Sequence, residues 1–319
     1  MTVGQVTSRP IGDGHSNLTF LVTDTEGKQV VVRRPPPPPT PPGAHDMLRE
    51  ARLLDALHDT DVPVARVLAK VPEGEVLDVG FYVMTYVPGP VATTETPTAL
   101  ADPATRRQLG EALVDTLAAL HQVDWRAAGL GDIGKPEGFN ARHVRRMGAL
   151  IVDDDGNPPP EFAAIDAWLK ENVPGESGDA IIHNDFRLGN VILDEKRPGR
   201  VRAVLDWELA TVGDPLCDLA YFLTSIPEED GGRTPTEALG LAMLEDGWPT
   251  RDDLAKRYAE HTGADLSDLQ WYEAMALWKL AVLYEYGRRR AVNGGGDDYY
   301  ADGTHVEEFL TAAHRAAGL

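Results

Sequence analysis

Cysteine is all but missing from this 319-residue chain: Cys217 is the only one. No intrachain disulfide can form, and a zinc site built on thiolates is not expected. Long apolar runs are missing as well, with no window near the roughly eighteen uninterrupted apolar residues that a membrane span needs. The first residues, MTVGQVTSRPIGDG, lack the charged-then-apolar pattern of a signal peptide, so the chain is expected to be cytoplasmic. Basic residues are scarce: 30 Lys and Arg stand against 51 Asp and Glu, a formal net charge of −21. Such a surface repels nucleic acid and anionic membranes, and neither is expected as a partner. There is no internal repeat. The hydrophobic fraction of 42% is ordinary for a globular protein, and the length allows one large domain or two medium ones.

What is present is concentrated in residues 181–208, IIHNDFRLGNVILDEKRPGRVRAVLDWE. Asp185 and Asn190 stand five apart in a short loop closed by Gly189, and the apolar run Val191-Ile192-Leu193 follows. A turn from Glu195 to Arg200 leads to a second apolar run that ends in Asp206. Two strands joined this way form a hairpin, which returns Asp206 to the start of the first strand. Asp185, Asn190 and Asp206 then converge at one end. Phosphoryl transfer needs such a set: a carboxylate to orient a hydroxyl, and an amide with a second carboxylate to hold magnesium on a nucleotide.

The order HxDxxxxN with a second Asp about twenty residues later matches the kinase catalytic loop and metal segment. Here the metal segment reads Asp206-Trp207-Glu208, and Gly213-Asp214-Pro215-Leu216-Cys217-Asp218-Leu219-Ala220 follows. In these words the chain resembles the aminoglycoside phosphotransferase family, the small-molecule branch of the protein-kinase-like fold. Within it, the chain most resembles phosphotransferase domains associated with acyl-CoA dehydrogenases. The resemblance implies an α+β, bilobal fold: a small β-rich lobe over residues 1–87 and a larger helical lobe over 88–319, with nucleotide in the cleft. It implies ATP and Mg2+ as cofactors, with Asn190 and Asp206 as metal ligands and a small-molecule hydroxyl as acceptor. ATP and GTP are not separable at this level, and neither is the oligomeric state readable. Arg187, two residues after Asp185, matches the lysine of many protein kinases and is expected to steady the transferred group beside Asp185. His183 is expected to brace the loop, and Asp218 to cap its backbone N–H groups.

Toward the N-terminus, Leu18–Thr23 and Gln29–Arg33 read as two strands around a turn at Glu26-Gly27-Lys28. The preceding loop offers Gly12, Gly14, Ser16 and Asn17 as nucleotide contacts, because its glycines let backbone N–H groups approach phosphates. A plain hairpin turn would look the same. Arg33 stands where the family usually carries a phosphate-binding lysine. Strand alternation sends Arg33 and Arg34 to opposite faces, and Arg33 is the preferred one. Residues 35–42 hold seven prolines in eight and should form a stiff extended connection. Residues 45–58 read as an amphipathic helix from which, by resemblance, Glu50 reaches Arg33. Another strand is expected over Val62–Ala69. Phe81–Gly89 resembles the connector between lobes, with backbone groups near Thr85 and Val87 meeting adenine.

From about residue 100 the pattern is helical. Asp102-Pro103 opens a helix through Leu109, Leu113, Leu117 and Leu120, closed by His121. Further helices are expected over 139–151, 161–171, 218–223, 236–245, 251–261, 268–290 and 304–316. The loop 129–146 and the segment Trp271–Arg290 are expected to build the acceptor pocket. Their arginines suit an anionic acceptor, whereas the net charge suits a cationic one. A nucleotide-binding regulatory module without turnover is the alternative. A dinucleotide-dependent oxidoreductase is not supported, because the Gly-containing loop lies between strands rather than in a βαβ unit.

Overall fold

β-Branched and apolar residues on alternating sides make the first part of the chain a sheet. The computed structural model describes residues 4–12, 17–36, 45–229 and 233–319. Its five-stranded antiparallel sheet comprises β1 (Val6–Pro10), β2 (Leu18–Asp24), β3 (Gln29–Arg34), β4 (Val67–Val71) and β5 (Phe81–Thr85), in the order β1-β2-β3-β5-β4. The β2–β3 turn is closed by Asp24, whose carboxylate accepts the N–H groups of Glu26 and Lys28, each at 2.9 Å. The exposed edge strand β1 was not expected, because VTSRP carries no apolar alternation; it is held by its register with β2. The expected strand over 62–69 is shorter. Pro63 has no N–H to give a ladder, and its carbonyl instead accepts from Val204 N at 2.8 Å, across to the helical part.

Helix α1 (Met47–Leu57) is capped by Asp46, which accepts from Arg49 N at 2.9 Å. It lays Ala51, Leu53, Leu54 and Leu57 against β4 and β5 and also touches the turn after Asp206. The proline run, from residue 37 onward, lies outside the described residues.

The helical part contains α2 (Pro103–His121), α3 (Phe139–Gly148), α4 (Ala163–Glu171), β6 (Ala180–Ile182), β7 (Val191–Leu193), β8 (Val201–Val204), β9 (Thr211–Gly213), α5 (Pro215–Thr224), α6 (Pro235–Ala238), α7 (Arg251–Thr262), α8 (Leu269–Val292) and α9 (Thr304–Ala317). The side chain of Asp102 accepts from Thr105 N at 3.0 Å, and Pro103 takes the first helical position. The helix expected over 236–245 is instead α6 followed by a short 3-10 turn, Leu241–Leu244. Gly240 interrupts it, packed so that a Cβ would lie 2.7 Å from the Ser225 carbonyl. Helix α3 ends at Gly148, which lies against Trp278, rather than at 151. Helix α8 has apolar residues around most of its circumference and is accordingly buried, with α3, α4, α5 and α9 packed on it. Among the described residues no helix is long and apolar enough to cross a membrane.

Two short antiparallel pairs, β6–β9 and β7–β8, lie between these helices. The β7–β8 register pairs Val191 with Val204, so the residues just outside it, Asn190 and Leu205-Asp206, are brought side by side. Leu205 N donates to Asn190 O at 2.8 Å.

Candidate active site

The loop after β6 is held from beneath by one buried carboxylate. Asp218, in the first turn of α5, accepts the backbone N–H of His183 at 2.5 Å and of Asn184 at 2.7 Å. Burial alone would push the Asp218 carboxyl up. The hydrogen bonds from the His121 ring and from the His183 backbone N–H outweigh it and hold the group below the usual carboxylate range. His183 is fully buried; its Nε2 meets Leu205 O at 2.8 Å and its Nδ1 accepts Asp185 N–H at 3.2 Å. A carbonyl only accepts, so the proton sits on Nε2. The loop and metal segment are thus tied through one ring, which packs between Phe186 and Trp207.

Both oxygens of Asp185 have donors. Tyr221 O–H donates to Oδ1 at 2.5 Å, and Asn190 Nδ2 donates to Oδ2 at 2.6 Å and to the Asp185 carbonyl at 2.7 Å. Arg187 Nε lies 3.5 Å from Oδ1. Burial and the Asp185 charge push the Tyr221 hydroxyl well above its ordinary range, so it stays a donor. Because the Asn190 amide nitrogen must face Asp185, its Oδ1 faces away, with no protein donor among the described residues.

Asp206 takes φ +63° and ψ +64°, a left-handed conformation that costs a residue with a Cβ about 1–2 kcal/mol. Its carboxylate Oδ1 meets Arg33 Nη2 at 2.5 Å. Arg33 also faces Glu50 at 3.2 Å, Thr19 Oγ1 at 3.4 Å and Glu208 at 3.7 Å. Arg34 turns away and donates to the Pro35 carbonyl. Glu50 in turn accepts from Tyr82 O–H at 3.0 Å, Tyr82 being the cross-strand partner of Arg33 in the β3–β5 register. Burial works against the Arg33 charge, yet Glu50 and Asp206 more than offset it and raise its pKa. Burial pushes the Glu50 carboxyl up, and Arg33 only partly pulls it back.

The other expected nucleotide contacts divide. Gly12 has φ +81°, while Gly14 and Ser16 lie outside the described residues. Asn17 is buried, donates to Glu208 Oε2 at 2.6 Å and meets His45 through Oδ1. The backbone N–H of Thr85 is committed to Arg66 O at 2.9 Å, so it is not available to a base. Val87, just beyond β5, has no backbone partner among the described residues.

Beside the loop lies a cavity of about 910 Å³ between residues 131–147, Asn184, Leu209–Val212 and α8. Gly134 lets its outer loop lie on β9: a Cβ there would be 2.6 Å from the Val212 carbonyl. Arg142 and Arg146 line the cavity, whereas Arg145 does not. Arg288 and Arg289 are held by Glu285 at 2.6 and 2.8 Å, and Arg290 by the Gly295 carbonyl. Sequence reasoning missed Tyr82, Tyr221 and Lys279. Tyr221 had a signal, since it stands one helical turn after Asp218 and shares its face. Lys279 had a fainter one, a cation set in the apolar stretch Met275–Val282 of α8.

A five-stranded antiparallel sheet, a helical body and an Asp–Asn–Asp set between them define a kinase-like phosphotransferase architecture. Residues 7–272 match the model of the phosphotransferase enzyme family, and the chain belongs to that family. Acyl-CoA dehydrogenase family member 10 of Mus musculus is 29% identical over 288 residues, covering 88% of this chain but only 26% of the relative. The chain therefore spans about a quarter of that protein's length. A crystal structure from Ralstonia eutropha, provisionally named an aminoglycoside phosphotransferase, superposes with a TM-score of 0.83 at 30% identity over 99% of this chain and 93% of that one. The GDP and kanamycin complex of APH(2")-IIIa shares the fold, with a TM-score of 0.67 at 16% identity over 99% and 94% of the two chains.

Proposed function

We propose that this protein transfers the γ-phosphoryl group of ATP to a hydroxyl of a small molecule. The observation that carries this is the Asp185 carboxylate, held by Tyr221 and Asn190 beside Arg187 and next in sequence to Asn184, which lines the cavity. Residues 1–87 form the nucleotide lobe and residues 88–319 the acceptor lobe. Asp185 orients the acceptor hydroxyl and takes its proton as the new O–P bond forms and the bond from γ-phosphorus to the β–γ bridging oxygen breaks. Because such a transition state is loose, positioning is the main contribution. Arg187 faces the charge on the transferred group. Arg33, steadied by Glu50, exchanges its contact with Asp206 for phosphate oxygens, and Val87 supplies backbone groups to the base. The donor set suits magnesium: Asn190 Oδ1 and the Asp206 carboxylate are hard oxygens that would hold the ion together with oxygens of the nucleotide. When bound, that ion neutralises phosphate charge.

GDP in a structure of the same fold makes GTP a second donor to test. The experiment is an acceptor screen with γ-labelled ATP and GTP, run on the wild type and on Asp185→Asn. Label is expected in an organic phosphate with the wild type and not with the variant. Nucleotide binding without transfer from either donor across the panel would refute the proposal in favour of a binding module.

A further inference from the structure

The charge of the cavity is the reverse of the chain's. Across the chain acids outnumber bases 51 to 30, yet the lining holds Lys135, Arg142, Arg146 and Lys279 with His143, against one carboxylate, Asp132. That carboxylate is already engaged by Arg52 at 2.7 Å.

Lys279 is the most telling of them. It is 8% exposed on the buried helix α8, and among the described residues no carboxylate lies within ion-pair distance of it. Among the described residues its one close partner is the ring of Tyr221, 5.2 Å from the ammonium. The nearby acids are occupied, Asp218 by two backbone N–H groups and Asp185 by Tyr221 and Asn190. A buried ammonium without a counter-ion is costly, and burial lowers its pKa accordingly. Arg142 donates to the carbonyls of Glu137 and Lys135 and shapes the rim, and Arg146 has no ion pair among the described residues. Burial, then the charges of Lys279, Arg146 and Arg142, push His143 down to about 3. Three cations thus surround one neutral imidazole with no anion among them.

Resting on the phosphotransferase reading, we infer that the cavity takes a hydroxylated acceptor carrying an anionic group, a carboxylate or a phosphate, which pairs with Lys279 and Arg146. Asn184 lines the same cavity and adjoins Asp185, so a molecule anchored there by its anion presents its hydroxyl to the carboxylate. Ile133, Met147, Leu209 and Leu283 give the body of that molecule an apolar wall.

The test uses the full chain with four probes: a hydroxycarboxylate series, glycerol 3-phosphate, choline and kanamycin. Label transfer and calorimetric binding are measured separately for the wild type, Lys279→Met and the exposed-site variant Arg146→Ala. The wild type is expected to prefer a carboxylate or the phosphate probe, and the preferred arm tells the two sources apart. Each variant should raise KM for that probe by about 10- to 100-fold, the worth of a charge-assisted hydrogen bond, with kcat changed much less. A preference for choline or kanamycin overturns the inference, as does an anionic-probe KM within about two-fold of wild type in Arg146→Ala and a folded Lys279→Met. Anion binding that depends on Lys279 and Arg146 but comes with no transfer keeps the inference and sinks the phosphotransferase reading. Absence of both sinks the inference.

Discussion

Replacing Arg33 by Met removes a cation that three carboxylates share. Glu50 is the one left stranded, since it is 3% exposed and retains only Tyr82 O–H at 3.0 Å. Breaking a buried ion pair from one side costs about 3–5 kcal/mol when the remaining charge stays uncompensated. Glu50 has an escape, because burial already raises its carboxyl and it can take up a proton. The expected loss in Arg33→Met is therefore about 2–4 kcal/mol near neutral pH. The sign with pH follows. In the variant the folded state holds a proton that the unfolded carboxyl, at its ordinary 4.5, has released, so stability falls as pH rises above 4.5. Glu50→Gln keeps the Tyr82 contact and leaves Arg33 with the part-exposed Asp206 and Glu208, a loss of about 1–2 kcal/mol. In the double variant nothing charged is stranded, so the two losses should fall short of their sum by about 1–3 kcal/mol. Urea unfolding at pH 5 and 7 measures all three, with calorimetry for nucleotide, whose affinity should drop in each. Arg34→Ala, which breaks only a contact to Pro35, should stay within about 0.5 kcal/mol of wild type. Strict additivity, or Arg34→Ala as the damaging change, would refute this account.

Asp185→Asn should lower kcat by about 10²–10⁴-fold with nucleotide affinity nearly unchanged; turnover within a few-fold of wild type would exclude it as base. Tyr221→Phe removes one donor to Asp185 and should cost about ten-fold in kcat, read in the same transfer assay. Asp206→Asn tolerates the left-handed backbone but loses the charge, so nucleotide affinity should lose its response to magnesium and to its chelation, as calorimetry with and without the metal would show. His143 is held near 3 against an ordinary 6.5, so only the unfolded chain takes up its proton between those values. Stability should then fall as pH drops through that window, by on the order of 2 kcal/mol once solvent screening of the half-buried ring is allowed for. Thermal melts of His143→Gln should be flatter there, and an unchanged profile would place the loss on other groups.

Local chemistry was legible wherever one stretch of chain carried both partners. Asp102 before Pro103 announces the start of α2, and the β7–β8 hairpin follows from two apolar runs around a turn. The same hairpin brings Asn190 beside Asp206, because register fixes which residues meet. Strand alternation separated Arg33 from Arg34 for the same reason, that side chains on a strand repeat every two residues. What the chain order does not carry is the meeting of distant elements. Asn17 and Glu208 are 191 residues apart, and Tyr221 reaches Asp185 only because α5 packs under the loop that Asp218 caps. Thr85 loses its N–H to Arg66 through a bond no periodicity predicts. Lys279 reads in the sequence as one cation in a long helix. Its meaning arises when α8 is buried on nearly every side, so that burial rather than residue type determines what the ammonium must pair with.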